Sequence, residues 1–212
     1  MQLTKLAHAC VRLEKDGAAL VIDPSVWAGP QALAGVGSVL ITHEHFDHVD
    51  VDGLRAALDA DPGLQVWANA SVAAQFADFA GQVHEVKHGD TFGTEGFDVA
   101  VYGHEHAVLH RDIPLVPNTG FMIDGEVFHP GDALTLPEDP VSTLLLPVNA
   151  PWLKLSEMID YARAVDPKRG YAIHDGLLND TGLMVLANWL GLATGPGGGA
   201  ISRVDPGTVI EL

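Results

Sequence analysis

The chain has 212 residues, 47% of them hydrophobic, which is enough apolar side chain for a sizeable core and excludes a disordered protein. It carries 28 Asp and Glu against 11 Lys and Arg, a formal net charge of -17. Such a surface repels nucleic acid and anionic membrane unless a basic patch intervenes, and the densest basic stretch is the single pair Lys168-Arg169.

Met1-Gln2-Leu3-Thr4-Lys5 runs straight into strand-like sequence, with no signal peptide and no apolar run long enough to span a bilayer. A soluble cytoplasmic protein, one domain over residues 1–212, is the expectation. Residues 3–13 and 18–22 read as two strands joined over Lys15-Asp16-Gly17. The only cysteine, Cys10, lies in the first of them and reads as a small core residue; alone, it excludes an internal disulfide and a thiolate zinc site. Asp23-Pro24 ends the second strand. Residues 36–42 form a short apolar strand. Residues 53–60 read as a helix capped by Asp50 or Asp52, 65–68 as a buried strand, 71–80 as a helix capped by Asn69 or Ser71, and 83–86 as a strand.

The pattern then begins again. Residues 97–102 form a strand, and 120–123 with 126–129 a hairpin over Asp124-Gly125. Residues 143–148 are a continuous apolar strand of the kind buried on both faces. Ser156 caps a helix through Val165, 171–173 is a strand, 181–190 a helix, and 208–212 a final strand. Two halves, each a hairpin followed by strand and helix, predict an α/β or α+β chain with two layers of sheet.

Chemistry concentrates after the strand at 36–42. Thr42-His43-Glu44-His45-Phe46-Asp47-His48 packs three imidazoles and a carboxylate into one turn of chain. These groups are the ligands of Zn, Fe or Mn. Other ligand-type residues follow later strands: His104 and His106 after 97–102, Asp132 in Phe128-His129-Pro130-Gly131-Asp132, and His174 after 171–173. Sites in such proteins gather beyond strand C-termini.

This order, H-x-H-x-D-H, then a His, then Gly-Asp after a strand, then a late His, resembles the dinuclear pattern of metallo-β-lactamase-fold hydrolases. Lys5-Leu6-Ala7-His8-Ala9 and Val21-Ile22-Asp23-Pro24 are similar to the start of that fold, and the likeness is closest to its compact branch of ascorbate-6-phosphate lactonase-like proteins. The resemblance implies an α+β, four-layer αβ/βα sandwich with two mixed β-sheets. It implies two divalent metal ions, Zn2+ foremost, with Mn, Fe or Ni as alternatives. Carried over, His43, His45 and a third His match the ligands of the first metal, and Asp47, His48 and His174 those of the second. Asp132 matches the bridging carboxylate. His106 is taken as the third His over His104, because His106-Ala107-Val108 looks more like the family's histidine; His110 is a weaker candidate. The nucleophile is then a metal-bridging hydroxide, which Asp47 can orient, or Asp47 can hand a proton to the leaving group.

Around this set, Asp23 is either an orienting partner of a ligand His or a plain strand end. His8 reads as a buried structural residue, His129 as a neighbour of the site, and His84 and His88 as solvated loop residues. Asp175 reads as support for its turn. Trp152 reads either as a wall of the site, with Lys154 as an anion-binding cation, or as a staple of the helix that follows, with Lys154 solvated; the second reading is favoured. The expected partner is a small-molecule substrate with an ester, lactone or phosphodiester bond, with no nucleic acid, no membrane and a possible homo-oligomer. A nuclease of the same fold, a diiron redox protein and a non-catalytic metal-stabilised binding protein are the competing readings.

Overall fold

Apolar residues at alternate strand positions build the centre of the molecule. Leu3, Val11, Leu13, Leu20, Ile22 and Leu40 of one sheet meet Phe97, Val99, Phe121, Ile123 and Val127 of another, all buried. Fully burying each such side chain contributes about 1.5–3 kcal/mol. The computed structural model describes residues 1–212.

The first sheet holds β1 (Gln2–Ala7), β2 (Cys10–Lys15), β3 (Ala18–Ile22), β4 (Ser38–Ile41), β5 (Gln65–Ala68), β6 (Val83–Glu85) and β14 (Val209–Glu211), in the order β14-β1-β2-β3-β4-β5-β6. Pairing is antiparallel from β14 to β3 and parallel from β3 to β6. The second sheet repeats this plan. It holds β7 (Thr91–Thr94), β8 (Phe97–Tyr102), β9 (Gly120–Ile123), β10 (Val127–His129), β11 (Thr143–Pro147), β12 (Arg169–Ile173) and β13 (Ala200–Ser202), in the order β13-β12-β11-β10-β9-β8-β7. It is antiparallel from β7 to β10 and parallel from β10 to β13.

Helices cover both outer faces. α1 (Val51–Ala60) and α2 (Ala70–Ala73) pack Leu54, Leu58 and Val72 on Val39, Ile41 and Val66. α3 (Leu155–Val165) and α4 (Asp180–Leu190) pack Met158, Tyr161, Leu186 and Leu190 on Leu144 and Leu146. The result is the four-layer α+β sandwich with two mixed sheets that the resemblance implied. No helix is long and apolar enough to cross a membrane.

Several elements depart from the sequence reading. The strand expected over 3–13 is two strands, because His8 adopts a left-handed φ of 49° and turns the chain. Alternating apolar residues continue through that turn and hide it. The helix expected over 71–80 is one α-helical turn, capped by Asn69, followed by a 3-10 segment that Phe76 interrupts at φ -123°, ψ 30°. α1 is capped by Asp50, whose carboxylate accepts from Gly53 N. The residue capping α3 is Lys154, not Ser156; Glu157 reaches back to accept from Lys154 N at 3.1 Å. β7 and β13 escape the sequence reading because they are edge strands of four and three residues, too short to show a sustained alternation.

Candidate metal centre

Both sheets send the loops beyond their strands to one edge of the sandwich. β4 leads into His43, His45, Asp47 and His48, the β8 loop supplies His106, the β10 loop Asp132, and the end of β12 His174. His43, His48, His106, Asp132 and His174 are buried, while His45 and Asp47 are half-buried. Their donor atoms form three sets, within each of which all atoms lie inside 4.8 Å: His43, His45 and His106; His8, Asp47, His48 and His174; and His43, His48 and Asp132. Asp132 stands between the groups. Its Oδ1 is 3.1 Å from His48 Nε2, and its Oδ2 is 3.0 Å from His174 Nε2 and 3.4 Å from His106 Nε2.

The donor set fits divalent cations. Nε2 of His48, His106 and His174 and Oδ1 of Asp132 are buried, and none closes a well-formed hydrogen bond. Each unsatisfied buried polar group costs about 1–3 kcal/mol, so their convergence calls for a ligand between them. Nitrogen and oxygen donors without thiolate suit Zn, Mn, Fe or Ni.

The other nitrogen of each ring shows why the Nε2 atoms point inward. His48 Nδ1 donates to Asp23 Oδ2 at 2.7 Å. Asp23 also accepts from Thr42 N at 2.8 Å and from Thr42 Oγ1 at 2.7 Å. With its own proton given to Asp23, the Thr42 hydroxyl accepts from His43 Nδ1 at 3.0 Å. His106 Nδ1 donates to Ala107 O and His174 Nδ1 to Asn149 O, both at 2.6 Å. Each assigned tautomer leaves Nε2 with a free lone pair.

His8 differs. Its Nδ1 accepts from Gly176 N at 3.1 Å, so the neutral ring carries its proton on Nε2, which faces Asp47 Oδ2 at 3.4 Å. By distance His8 belongs to the cluster, but it presents an N–H to Asp47 rather than a lone pair. His8 is thus buried, as the sequence reading expected, but it also supports a site carboxylate.

Electrostatics follow the same pattern. Burial lowers the pKa of His43, His45 and His8, which keeps those rings neutral. Burial alone would raise the Asp47 carboxyl, but His8, His48 and His174 outweigh it and hold it at about 2. Burial opposes ionisation of Asp132 too, yet the charge of His48 and contacts from His106 and His174 hold its pKa well below the ordinary range. His48 is pushed the other way: burial lowers it, and Asp132 and Asp23 raise it well above the ordinary value. A cation held at Nε2 would take the place of that proton.

The local backbone is strained toward this geometry. His8, Asp23 and His174 have φ of 49°, 53° and 58°, and His174 N donates to His8 O at 3.0 Å. Gly131, at φ 65°, lets the Asp132 loop approach closely: a Cβ there would lie 2.3 Å from Asn118 Oδ1 and 2.7 Å from Thr42 Cβ. Asn118 Oδ1 accepts from Asp132 N at 3.0 Å, which fixes the loop.

Among the three histidines weighed after β8, only His106 joins the cluster. His104 is exposed and stands beside His88 at 4.6 Å, and the His110 side chain is 57% exposed. Asp23, left open in the sequence, orients His48. His129 is a neighbour, donating from Nε2 to Ala9 O at 2.9 Å. Trp152 takes the site-wall reading, not the favoured stapling one. Rather than stapling α3, it donates from Nε1 to Asp132 Oδ2 at 3.0 Å and turns its ring edge to His106. Lys154 is exposed and pairs with Glu157, as expected. His84 does not lie in a solvated loop; it sits on β6, stacked on Trp67 with ring centroids 5.1 Å apart. His88 is half-buried and accepts from Gly103 N. Asp175 exceeds a turn role: its Oδ2 takes Lys5 Nζ at 2.6 Å and Arg203 Nε at 2.9 Å.

A cleft of about 480 Å³ opens onto His45, Asp47, His106, Asp132 and His174, walled by Trp27, Phe46, Leu109, Pro151, Trp152 and Leu177. A larger hollow of about 770 Å³ lies near Phe92, Tyr102 and Met122 on the second sheet; it is lined by Asp98 and Asp139 but by no histidine.

The family model described as a beta-lactamase superfamily domain matches residues 2–174. Protein Rv0786c of Mycobacterium tuberculosis is 36% identical over 184 residues, covering 84% of this chain and 85% of that one. UPF0173 metal-dependent hydrolase Atu1317 of Agrobacterium fabrum is 38% identical over 106 residues, covering 46% of this chain and 43% of its own length. The metallo-beta-lactamase fold protein YhfI from Bacillus subtilis superposes with a TM-score of 0.75 at 13% identity, over 99% of this chain and 98% of that one, a likeness of fold. The family match runs from β1 through the whole cluster to His174, and the chain belongs to the metallo-β-lactamase superfamily.

Proposed function

We propose that this chain is a hydrolase of small molecules that works with two divalent cations. The carrying observation is the convergence of buried, unpartnered donor atoms on both sides of Asp132. In this reading His43, His45 and His106 would hold one cation and Asp47, His48 and His174 the other, with Asp132 standing between the two groups. The Agrobacterium relative is named as a metal-dependent hydrolase, which supports the same reading. When bound, the cations acidify a water and polarise the bond under attack.

The chain's own residues do the rest. Asp23 and Thr42 hold the rings of His48 and His43, and Trp152 fixes Asp132 from the side facing the cleft. Asp47 is half-buried at the cleft, and at a pKa of about 2 it is too weak a base to keep a proton. Its role is to orient the attacking water and relay the proton, while His8 Nε2 faces Oδ2 at 3.4 Å. The water oxygen adds to the carbonyl or phosphoryl centre, the bond to the leaving oxygen breaks, and the proton passes to that oxygen. Ester, lactone and phosphodiester substrates all fit this sequence, and Zn2+, Mn, Fe or Ni can serve. The test is metal-reconstituted protein assayed against all three bond types. The expected result is metal-dependent cleavage lost in Asp132→Ala. Cleavage retained by Asp132→Ala and by His43→Ala would overturn the reading.

A further inference from the structure

The walls of the cleft differ from its floor. Trp27, Phe46, Leu109 and Leu177 come from four separate loops, yet all line one hollow. They are 40%, 64%, 36% and 53% exposed. Single exposed apolar residues are ordinary, but four converging on one cleft form a binding surface. Trp27 and Phe46 meet edge to face at 5.8 Å, and Trp27 packs edge-on against His8 at 4.6 Å, so this wall is already formed.

Charge points the same way. No Lys or Arg lines the cleft, whereas Glu44, Asp47 and Asp132 do. The cations nearby in sequence or space have acidic partners: Lys154 with Glu157, Lys5 and Arg203 with Asp175, and Arg111 with Asp112. A carboxylate or phosphate remote from the reacting bond would lose hydration beside Glu44 with no cation to receive it. At about 480 Å³ the hollow has the size of a small-ligand pocket.

We infer that the substrate beyond its reacting bond is uncharged and apolar, an alkyl or aryl acyl group seated on Trp27, Phe46, Leu109 and Leu177. The inference rests on the reading of the cluster as a hydrolytic centre and narrows its substrates to esters and lactones of apolar acids. A sugar phosphate of the kind suggested by the lactonase-like resemblance does not suit these walls.

The test separates binding from cleavage. Linear alkyl hydroxamates from acetyl to octanoyl, with and without a terminal carboxylate, are titrated calorimetrically into metal-loaded protein. p-Nitrophenyl esters of the same chains are assayed in parallel. Affinity should rise about fourfold per methylene, the transfer value of a buried CH2, and a terminal carboxylate should abolish the rise. Phe46→Ser with Leu177→Ser should flatten the rise with chain length; both positions are exposed enough to keep the fold intact. Rising affinity without cleavage of any ester would uphold the apolar subsite and refute the hydrolytic reading. Cleavage of short esters with affinity independent of chain length, or improved by the carboxylate, would refute the subsite and leave the hydrolytic reading standing. Absence of hydroxamate binding at every length also overturns the inference.

Discussion

The two halves of the donor cluster are held in different ways. His43, His45, Asp47 and His48 come from one loop, and side chains set its key groups: Asp23 for His48, Thr42 for His43 and His8 for Asp47. His106, Asp132 and His174 come from three loops, and backbone carbonyls set the two rings, Ala107 O and Asn149 O. A geometry held by side chains fails when one residue is replaced. A geometry held by carbonyls survives such replacements and fails only when the loop itself moves.

The largest expected effect tests the join between the halves. Asp175, beside His174, binds Lys5 of β1, and both side chains are almost wholly buried. Asp175→Ala strands Lys5 without a partner and should cost about 3–5 kcal/mol. In a chain of this size that lowers the melting temperature by roughly 10 °C. A melting temperature within a degree or two of wild type would show that the halves do not depend on this pair.

Next comes the side-chain hub. Asp23→Ala frees the His48 ring and removes the acceptor that ties down Thr42. Metal affinity, measured by chelator competition, should fall about 10–100-fold. An unchanged affinity in folded protein would show that the side-chain contacts do not set the His48 ring.

The smallest effect is expected opposite the hub. In Asn149→Ala the carbonyl that orients His174 remains, so metal affinity should stay within about twofold of wild type. A loss as large as that of Asp23→Ala would mean that the Asn149 side chain, not its carbonyl, sets the ring.

The same contrast decides what the sequence reveals. The H-x-H-x-D-H loop is contiguous and follows a buried strand, so its donors are legible without a fold. His106 and His104 both follow β8; the family resemblance favours His106, and in the structure burial separates the two. His8 and Trp152 are harder still. Their roles depend on distant chain: His8 accepts from Gly176, 168 positions away, and Trp152 reaches Asp132, 20 positions back. Local pattern holds no trace of either contact. The fold divides similarly. Hairpins over Asp16-Gly17 and Asp124-Gly125 announce themselves through turn chemistry. The turn at His8-Ala9 has neither glycine nor proline, and tertiary contacts from Gly176 and His174 impose it.

The central claim is that Asp132 joins two cation sites. Elemental analysis of purified, metal-reconstituted protein, wild type beside Asp132→Ala, tests it most directly. The account predicts about two metals per chain in the wild type and a clear loss in the variant. No metal after add-back, or equal content in both proteins, would contradict it.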